Sequence, residues 1–524
     1  MKQVSLPGLS FCTAAAILAF SFFTSRAFAQ IGALDPDFAT AGIGTYLLGI
    51  PYPGEDFEIL ALADNSMLVC GYYYFSEDTT YIGFVTHILE SGDVDPTFGE
   101  SNGTTFFNGG EIRTLALAAD QSIYLAGSVA DPPHTLLAHL SASGIPDADF
   151  GTNGVVITAI PSGPARCNDI VIQPDGKILL GGYIYEESPP YDSQSLFMRL
   201  LPDGTLDTSF NSTGIVTVPG NPSEYLQALA LLDDGSIMGV GEYNNNATAS
   251  NSLLLKLSPD GTLDTSFGIG GSLDYDIDNG SSEASEIIIL DGSIYTVGFT
   301  SHPGSAHAYI AKFNTDGSFD SAFGTNGSTL CDFGVAGGVD AFYDIVAQPD
   351  GKMLACGYAG YGSCVTARFG TNGALDPTFG DEGKTITDIT VPHYAALSGI
   401  ALQPDGKIVA VGVAYILPDY ASVIVLRYLG NGSVDIVGNE TPTDHVGLYP
   451  NPISGNATTL ELRDAQSAEV WTSDLQGRTI GSTINVPNGV TSVSLDANGL
   501  AAGTYLVNVL SQGNITTLKM QVAK

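Results

Sequence analysis

Three aspartates alternate with other residues in the segment DYDID, at Asp274, Asp276 and Asp278. Alternate side chains of an extended strand project from one face, so the three carboxylates would stand together. Oxygen ligands of this kind suit Ca²⁺. We predict a calcium site here, although Gly280 falls one place late for a calcium-binding loop. The alternative is a solvated acidic strand end.

Tyrosines are concentrated in the variable segments between the strand-like runs. A tyrosine ring can stack on a sugar or contact a peptide while its hydroxyl stays hydrated, and loops on a rigid scaffold commonly bind ligands. The alternative is that these rings cover the edges of the sheets. The predicted ligand-binding residues are Tyr72, Tyr74, Tyr183, Tyr185, Tyr243, Tyr361 and Tyr415.

No catalytic residue is predicted. The sequence has no Gly-x-Ser-x-Gly, His-Glu-x-x-His or Cys-x-x-Cys motif, and these motifs carry the common nucleophilic, zinc and redox chemistries. His302 and His307 are close enough to share a metal, but no third ligand is evident. A carboxylate pair for glycoside cleavage stays open, because the sequence does not give the distance between two carboxylates.

A repeat carries these candidate residues. An apolar strand, a turn of Asp-Gly type and a second apolar strand ending in Gly recur at a period that is typical of propellers. The seven copies are LALADNSMLVCG, LALAADQSIYLAG, IVIQPDGKILLGG, LALLDDGSIMGVG, IIILDGSIYTVG, IVAQPDGKMLACG and IALQPDGKIVAVG.

A second signature, Asp-x-x-Phe, marks each junction between repeats, first at Asp35 and last at Asp376. Each period holds four short strand-like runs, which is the composition of a propeller blade. We therefore predict an all-β fold, a seven-bladed β-propeller followed by a small C-terminal β-sandwich. The N-terminal junction has no blade before it, so it should complete the last blade and close the ring.

A basic or histidine residue precedes each later junction aspartate by eight positions. A hairpin between the two would place them opposite each other, so we predict cross-strand ion pairs, each contributing less than about 1 kcal/mol if exposed. The pairs are His87/Asp95, His139/Asp147, Arg199/Asp207, Lys256/Asp264, Lys312/Asp320, Arg368/Asp376 and Arg427/Asp435.

The composition restricts the partners. With 17 Lys and Arg against 56 Asp and Glu, the formal net charge is −39, so a polyanion would be repelled, and nucleic acids and anionic membrane surfaces are poor partners. The acidity suits either the solubility of an exported protein or divalent-cation binding. Residues 1–29 read as a secretory signal, and no later run is apolar enough to span a membrane.

Cysteine usage favours packed thiols over a disulfide framework. The mature chain keeps five cysteines, which is an odd number, so at least one must lack a partner within the chain. Cys70 and Cys356 occupy the same repeat position, where other repeats have Ala126, Gly181 or Val411. Any bridge should lie among Cys331, Cys356 and Cys364.

The motifs over about residues 34–437 resemble the bacterial delta-60 repeat family, whose unit reads Leu-Asp-x-x-Phe-Gly and later Gln-Pro-Asp-Gly-Lys-Ile. Residues 375–380, LDPTFG, and 403–408, QPDGKI, match closely. The first, second and fifth repeats depart from the pattern at the turn. The resemblance implies a propeller and no defined activity.

The last 80 or so residues resemble the type A sorting domain of the type IX secretion system. The motifs occur in order as LYPNP, DLQGR and GLAAGTY. The resemblance implies a small β-sandwich that is recognised at the outer membrane, then removed or attached to surface polysaccharide. The alternative is an ordinary accessory β-domain. The sorting-motif residues are Tyr449, Pro450, Asn451, Pro452, Gly503, Thr504 and Tyr505.

The expected domains are a signal peptide at 1–29, a propeller at 30–437, a linker at 438–443 and a sorting domain at 444–524. Two functional hypotheses follow for a protein that reaches the outer surface through the periplasm. The first is a non-catalytic binding or scaffold protein for a glycan, a peptide or a surface partner. The second is a carboxylate-based hydrolase or lyase, with Ca²⁺ as its only candidate cofactor. A purely structural surface-layer role is a third reading.

Overall fold

A computed structural model describes residues 30–522. The exceptions are residues 47–53, 55, 76–79, 131–132, 187–191, 219–222, 245–249, 303–304, 336–337, 390–393, 418–419, 431–445, 450–456, 463–466, 474–478, 489, 499, 501–502 and 512–513. The predicted signal segment 1–29, the predicted linker 438–443 and the predicted motif residues Pro450, Asn451 and Pro452 therefore lie outside the described residues. None of the described segments is a helix long and apolar enough to cross a membrane.

Within the described residues, the repeats form seven four-stranded antiparallel sheets. The N-terminal strand β1 (Ile43–Tyr46) comes before them in the chain. The strands of the first three sheets are β2 (Glu58–Ala61), β3 (Met67–Phe75), β4 (Thr80–Ile88), β5 (Thr104–Asn108); β6 (Gly110–Leu117), β7 (Ile123–Ala130), β8 (Pro133–Leu140), β9 (Val155–Thr158); and β10 (Ala165–Ile172), β11 (Ile178–Tyr185), β12 (Ser193–Leu200), β13 (Ile215–Val218).

The fourth to seventh sheets follow the same order from the inner to the outer strand. Their strands are β14 (Ser223–Leu231), β15 (Ile237–Asn244), β16 (Ser250–Leu257), β17 (Ser272–Tyr275); β18 (Ser281–Leu290), β19 (Ser293–His302), β20 (Ser305–Phe313), β21 (Ser328–Cys331); β22 (Asp340–Ala347), β23 (Met353–Ala359), β24 (Ser363–Phe369), β25 (Lys384–Thr387); and β26 (Ala395–Leu402), β27 (Ile408–Leu417), β28 (Tyr420–Tyr428).

The N-terminal strand completes the seventh sheet, as the sequence predicted. β1 pairs with β28, in the order β1-β28-β27-β26. Inner strands of the first and seventh sheets are also bonded, because Phe57 N–H donates to Ser398 Oγ at 3.0 Å and that hydroxyl donates to the Phe57 carbonyl at 2.9 Å. The sheets therefore close into a ring, and the all-β propeller class is confirmed.

Two further sheets follow. Their strands are β29 (Val446–Tyr449), β30 (Ala457–Leu462) and β33 (Ser492–Asp496), and β31 (Ala468–Ser473), β32 (Thr479–Val486), β34 (Gly503–Ser511) and β35 (Asn514–Val522). Leu460 and Leu495 of the first sheet share one core cluster with Val470 and Val507 of the second. Two sheets around one core form the predicted sandwich.

The glycine that ends each repeat motif has a steric reason. In six sheets the inner strand has a bulge near its start, and the glycine of the second strand faces it. A Cβ at Gly298 would lie 1.9 Å from the Glu283 carbonyl oxygen, and the other five glycines have equivalent distances of 1.8 to 2.0 Å. The glycine therefore admits the bulge, which re-aims the following side chains.

Gly298→Ala is expected to lower the free energy of unfolding by about 1–3 kcal/mol, because backbone must move to admit the methyl group. Gly370→Ala is the matched control, since its nearest neighbour is the Asn372 side chain at 3.1 Å, and should stay within about 0.5 kcal/mol of wild type. Urea unfolding measures both. Equal effects of the two substitutions would contradict the steric account.

Six of the seven predicted junction ion pairs form. The basic or histidine side chain contacts the aspartate eight residues later at N–O distances of 2.8 to 3.2 Å. The backbone has the expected hairpin register, because Asp264 N–H donates to the Lys256 carbonyl at 2.8 Å. These contacts tie each junction to the strand before it.

The seventh pair requires a correction. Arg427 was predicted to pair with Asp435, which lies outside the described residues; instead its Nε contacts Asp35 Oδ2 at 2.8 Å. The reason is ring closure, because the N-terminal junction occupies the end of the seventh sheet. Lys407 adds a second contact to Asp35 at 3.2 Å.

The five cysteines of the described residues, Cys70, Cys167, Cys331, Cys356 and Cys364, are free and buried. Cys70 and Cys356 lie in core clusters beside aliphatic side chains. Burial raises the pKa of both thiols well above the usual value. They therefore act as small apolar core residues.

Candidate functional site

The basic residues that form no ion pair with a junction aspartate are the best guide to a functional site. Of the 17 Lys and Arg residues, two precede residue 30 and four follow residue 437, which leaves eleven in the propeller. Eight of these contact junction aspartates. The remaining three are Arg113, Arg166 and Lys384. Arg113 and Arg166 lie together, and this signal was available in the sequence but was missed.

Arg113 and Arg166 are on the inner strands of the second and third sheets, near the starts of β6 and β10. We call the face where inner strands begin and second strands end the variable face. Arg113 is the bulged residue between Ile112 and Thr114, so its side chain leaves the alternation of the strand. Arg166 is paired across the sheet with Tyr183 of β11.

Arg113 is the centre of a charged and aromatic cluster. Its Nη1 contacts Asp56 Oδ2, its Nη2 lies 3.3 Å from Glu111 Oε2, and its guanidinium carbon lies 5.4 Å from the centre of the Tyr72 ring. Such a cation–π contact contributes about 0.5–1 kcal/mol at an exposed site, and more when desolvated. The side chain is only 14% exposed, so its charge is fixed in place.

Arg166 is held more loosely. Its Nη2 is 3.9 Å from Glu111 Oε1, and its side chain is 34% exposed. Burial raises the pKa of Tyr183, and the positive charges of Arg166 and Arg113 partly offset that rise. Tyr183 therefore lies beside Arg166 across the β10–β11 pair and experiences the charges of both guanidinium groups. We call Arg113, Arg166, Asp56, Glu111, Tyr72 and Tyr183 the arginine–tyrosine surface.

The structure brings four of the seven predicted tyrosines to this surface or its border. The rings of Tyr72 and Tyr74 both contact Tyr81, at centroid distances of 5.8 and 5.0 Å. Tyr183 contacts Tyr185 at 6.1 Å and Tyr225 at 5.1 Å. Aromatic rings of the first, third and fourth sheets thus extend the arginine–tyrosine surface around Tyr72 and Tyr183.

The other three predicted tyrosines lie elsewhere. Tyr415 ends a row of rings spaced 5.8 to 6.0 Å apart on the sixth and seventh sheets, and the row consists of Tyr343, Tyr358, Tyr394 and Tyr415. Tyr243 is half-buried against the core of the fourth sheet. Tyr361 is 80% exposed. The seven predicted tyrosines therefore do not converge on one site.

Four carboxyl groups lie deeper, along the propeller axis. Glu58, Asp169, Glu286 and Asp344 are on the inner strands of the first, third, fifth and sixth sheets. Their charges act on one another: those of Asp344 and Asp169 raise the pKa of Glu58, and those of Asp169, Asp344 and Glu58 raise that of Glu286. Because the first, third, fifth and sixth sheets lie around the ring, mutual interactions among all of these groups place them near its centre. We call them the axial carboxyls.

Burial is the main cause of the raised pKa values at the axis. It raises the pKa of Asp169 to about 6 and that of Asp344 to about 7, and it raises those of Glu58 and Glu286 well above the usual value. The side chain of Asp344 is 9% exposed, and the other three are half-buried. Protonated carboxyls therefore persist at the axis near neutral pH.

Two of the axial carboxyls join neighbouring sheets. Asp169 accepts the N–H of Leu229 at 2.7 Å, and Asp344 accepts that of Ile400 at 2.6 Å, each on the next inner strand. Glu58 and Glu286 each accept the N–H of the residue that follows, at 3.0 and 2.9 Å. The aspartates thus have a structural role that the glutamates do not share. Sequence reasoning missed all four; Asp169, Glu286 and Asp344 each directly follow a bulge, which shifts them out of the strand alternation.

The predicted calcium ligands Asp274, Asp276 and Asp278 are all exposed. Among the described residues, one group of three His, Cys, Asp or Glu side chains has its ligand atoms within 4.8 Å of one another, and it consists of His307, Asp332 and Asp340. The three aspartates are thus not brought together as closely. Calcium binding there stays a prediction.

Comparison with known families identifies the two domains of the chain. Residues 173–210, 232–267, 290–323, 348–379 and 403–435 match a β-propeller domain of unknown function, DUF5122. Residues 447–523 match a secretion system C-terminal sorting domain. The chain is a repeat propeller with a sorting domain. The matched repeats are the last five, and the unmatched first two have Asp-Asn and Asp-Gln in place of Asp-Gly at the turn.

The sorting domain marks this repeat propeller for export by the type IX secretion system to the cell surface or the outside. Tyr449 is the last residue of β29, and Gly503, Thr504 and Tyr505 begin β34. These predicted motif residues are therefore on strands of the sandwich. No curated protein matches the chain.

Solved structures resemble the repeat propeller only distantly. A protein of unknown function from Dyadobacter fermentans is 11% identical, with 74% of this chain and 99% of that chain covered and a TM-score of 0.38. An ulvan lyase of a polysaccharide lyase family is 10% identical, with 77% and 94% covered and a TM-score of 0.41. A Pyrococcus horikoshii acylaminoacyl peptidase is 10% identical, with 79% and 57% covered and a TM-score of 0.37. These similarities are too distant to indicate a function.

Proposed function

We propose that the repeat propeller is an exported, non-catalytic binding protein that holds a carboxylate-bearing glycan on the arginine–tyrosine surface. The observation that carries this proposal is the placement of Arg113 and Arg166 among tyrosines in a chain of net charge −39. The proposal includes domain limits of 30–437 for the propeller and 444–524 for the sorting domain. It also includes attachment of the sorting domain to a surface polysaccharide.

The chemistry of the surface fits this ligand class. A guanidinium group presents paired donors to a carboxylate, and an aromatic ring stacks on the apolar face of a sugar. Arg113 is already engaged by Asp56 and Glu111, so the more exposed Arg166 supplies the contact to the ligand. Peptide or protein partners with exposed carboxylates are the competing ligands.

Tyr183→Ala and Arg166→Gln are each expected to weaken binding of an acidic polysaccharide by about tenfold or more, because each removes a contact of about 1.4 kcal/mol or more. The measurement is a panel of acidic and neutral polysaccharides on the chain from residue 30, followed by calorimetry. Tyr361→Ala is the control, because that ring lies apart from the surface. Melting temperatures verify that each variant is folded.

Three results would contradict the proposal. Wild-type affinity in Tyr183→Ala would remove the surface from the binding site. Equal binding of neutral and acidic polysaccharides would show that the arginines do not recognise a carboxylate of the ligand. Binding of acidic peptides with no binding of any polysaccharide would assign the surface to a protein partner.

The axial carboxyls support a second candidate, a carboxylate-based hydrolase or lyase, with Ca²⁺ at Asp274, Asp276 and Asp278 as its predicted cofactor. A carboxyl with a pKa raised to near 7 can serve as a general acid at neutral pH, and Asp344 has such a pKa, of about 7. Both oxygens of Asp344 accept backbone N–H groups, however. Release of reducing ends or unsaturated products from the same panel would favour this candidate over simple binding.

A further inference from the structure

Lys384 is the third basic residue of the propeller that does not contact a junction aspartate, and it lies beside a second candidate site. Its Nζ donates to the Asp332 carbonyl oxygen at 2.8 Å and lies 5.8 Å from the centre of the Phe333 ring. Both contacts hold the segment that follows β21. Asp332 belongs to the group with His307 and Asp340, whose ligand atoms lie within 4.8 Å of one another.

The topology explains how residues 33 positions apart in sequence meet. Ala308 pairs with Cys331 between β20 and β21, so His307 and Asp332 continue that pairing by one step towards the variable face. Ala306 N–H donates to the Gly338 carbonyl at 2.6 Å, which brings the start of β22 alongside. Asp340 is the first residue of that strand. The three side chains therefore converge where the fifth and sixth sheets meet.

The structure holds two of the three groups in position through the backbone. Asp340 is 3% exposed, and its two oxygens accept the N–H groups of Phe333 at 2.9 Å and Gly360 at 3.4 Å. Asp332 Oδ1 accepts the N–H of Gly334 at 2.7 Å. Hydrogen bonds that surrounding groups make to metal ligands orient those ligands and raise the affinity for the metal.

A buried nitrogen provides an independent observation. His307 Nδ1 is buried and has no hydrogen-bond partner among the described residues. An unsatisfied buried polar atom is destabilising, and coordination of a cation by the imidazole would satisfy it. The positive charge of the cation would also reduce the repulsion between the carboxylates of Asp332 and Asp340.

We propose that His307, Asp332 and Asp340 bind a divalent first-row transition metal ion such as Zn²⁺. One imidazole nitrogen and two carboxylate oxygens are ligands that these ions accept, whereas Ca²⁺ takes oxygen ligands only. A tetrahedral ion with bonds of about 2.1 Å places its ligands about 3.4 Å apart, so small side-chain movements suffice. Three protein ligands leave a position for water or for a ligand on the variable face.

His307→Gln is expected to weaken Zn²⁺ binding by about 100-fold or more, because loss of a ligand exceeds the 10- to 100-fold cost of losing an outer hydrogen bond. The measurement is calorimetry with Zn²⁺ on the chain from residue 30, with Co²⁺ absorption as a readout of coordination. His134→Gln is the matched control: it also lies near the start of a third strand, and its Nδ1 is bonded to the Pro133 carbonyl at 2.8 Å.

Asp340 supports the backbone, so Asp340→Asn is expected to reduce folding as well as binding. Asp332→Asn avoids this difficulty because Asp332 is exposed, and it should lose Zn²⁺ affinity while keeping its melting temperature in metal-free buffer. Wild-type affinity in either His307→Gln or Asp332→Asn would overturn the proposal. Tighter binding of Ca²⁺ than of Zn²⁺, or no Zn²⁺ binding by the wild type, would also overturn it.

Discussion

Asp35→Asn is expected to lower the free energy of unfolding by about 3–5 kcal/mol, the usual cost of removing one partner from a buried ion pair. Asp35 and Arg427 are 1% and 2% exposed, and Lys407 also contacts the same carboxylate. The substitution would leave a buried guanidinium without its counter-ion. It would also loosen the contact between the N-terminal junction and the seventh sheet.

Urea or thermal unfolding of the chain from residue 30 measures this effect. Asp264→Asn is the control, since Lys256 and Asp264 are 15% and 26% exposed and such a pair contributes less than about 1 kcal/mol. Similar losses for the two variants would show that ring closure does not depend on the buried pair.

The Asp35–Arg427 pair also predicts how the stability of the protein changes with pH. Burial would raise the pKa of Asp35, but the N–H of Asp37 and the charge of Arg427 outweigh it, so the pKa is lowered. A carboxyl with a lowered folded pKa stabilises the protein above its unfolded pKa of about 4, and that stabilisation disappears as the pH falls further. Asp35→Asn should therefore lose less stability in acid than the wild type.

The axial carboxyls predict the opposite trend between about pH 4 and 7. Their folded pKa values are raised, so the native state keeps protons that the unfolded chain has lost. Stability should fall as the pH rises through this range, by up to about 1.4 kcal/mol per pH unit for each carboxyl that stays protonated. Glu58→Gln combined with Glu286→Gln should make this slope clearly shallower.

Urea unfolding at several pH values from about 4.5 to 7.5 tests this prediction. Glutamine keeps the oxygen that accepts the following N–H, so the substitution removes the charge without removing that bond. Glu90→Gln combined with Glu100→Gln is the control, because both side chains are exposed. An unchanged slope in the axial double variant would show that these glutamates do not titrate as their positions imply.

The fold could be predicted from the sequence because each blade repeats the same short-range pattern. The Asp-Gly turns, the closing glycines and the basic residue eight places before each aspartate are all local, and six ion pairs formed as predicted. Arg427 was assigned the wrong partner because its carboxylate comes from the other end of the propeller. Ring closure is a long-range contact, and local spacing could not show which Asp would fill that position.

The sites were harder to predict, because they depend on single residues brought together by closure and by bulges. Tyrosine enrichment located Tyr72 and Tyr183, but it gave equal weight to Tyr361, which is isolated and exposed. The bulge that places Arg113 and shifts Asp169 has no distinct sequence mark apart from the facing glycine. His307 was noticed, while its neighbours Asp332 and Asp340 were not, because they lie on other strands.

The pairing of β1 with β28 links chain length to sorting. The partner of the first strand lies immediately before the linker and the sorting domain. A chain that ends early therefore lacks the sorting domain whenever it lacks β28. A chain long enough to include the sorting domain, and so to be recognised for export, also includes β28, with which β1 pairs to close the ring. The order of the segments therefore prevents a prematurely ended propeller from being sorted.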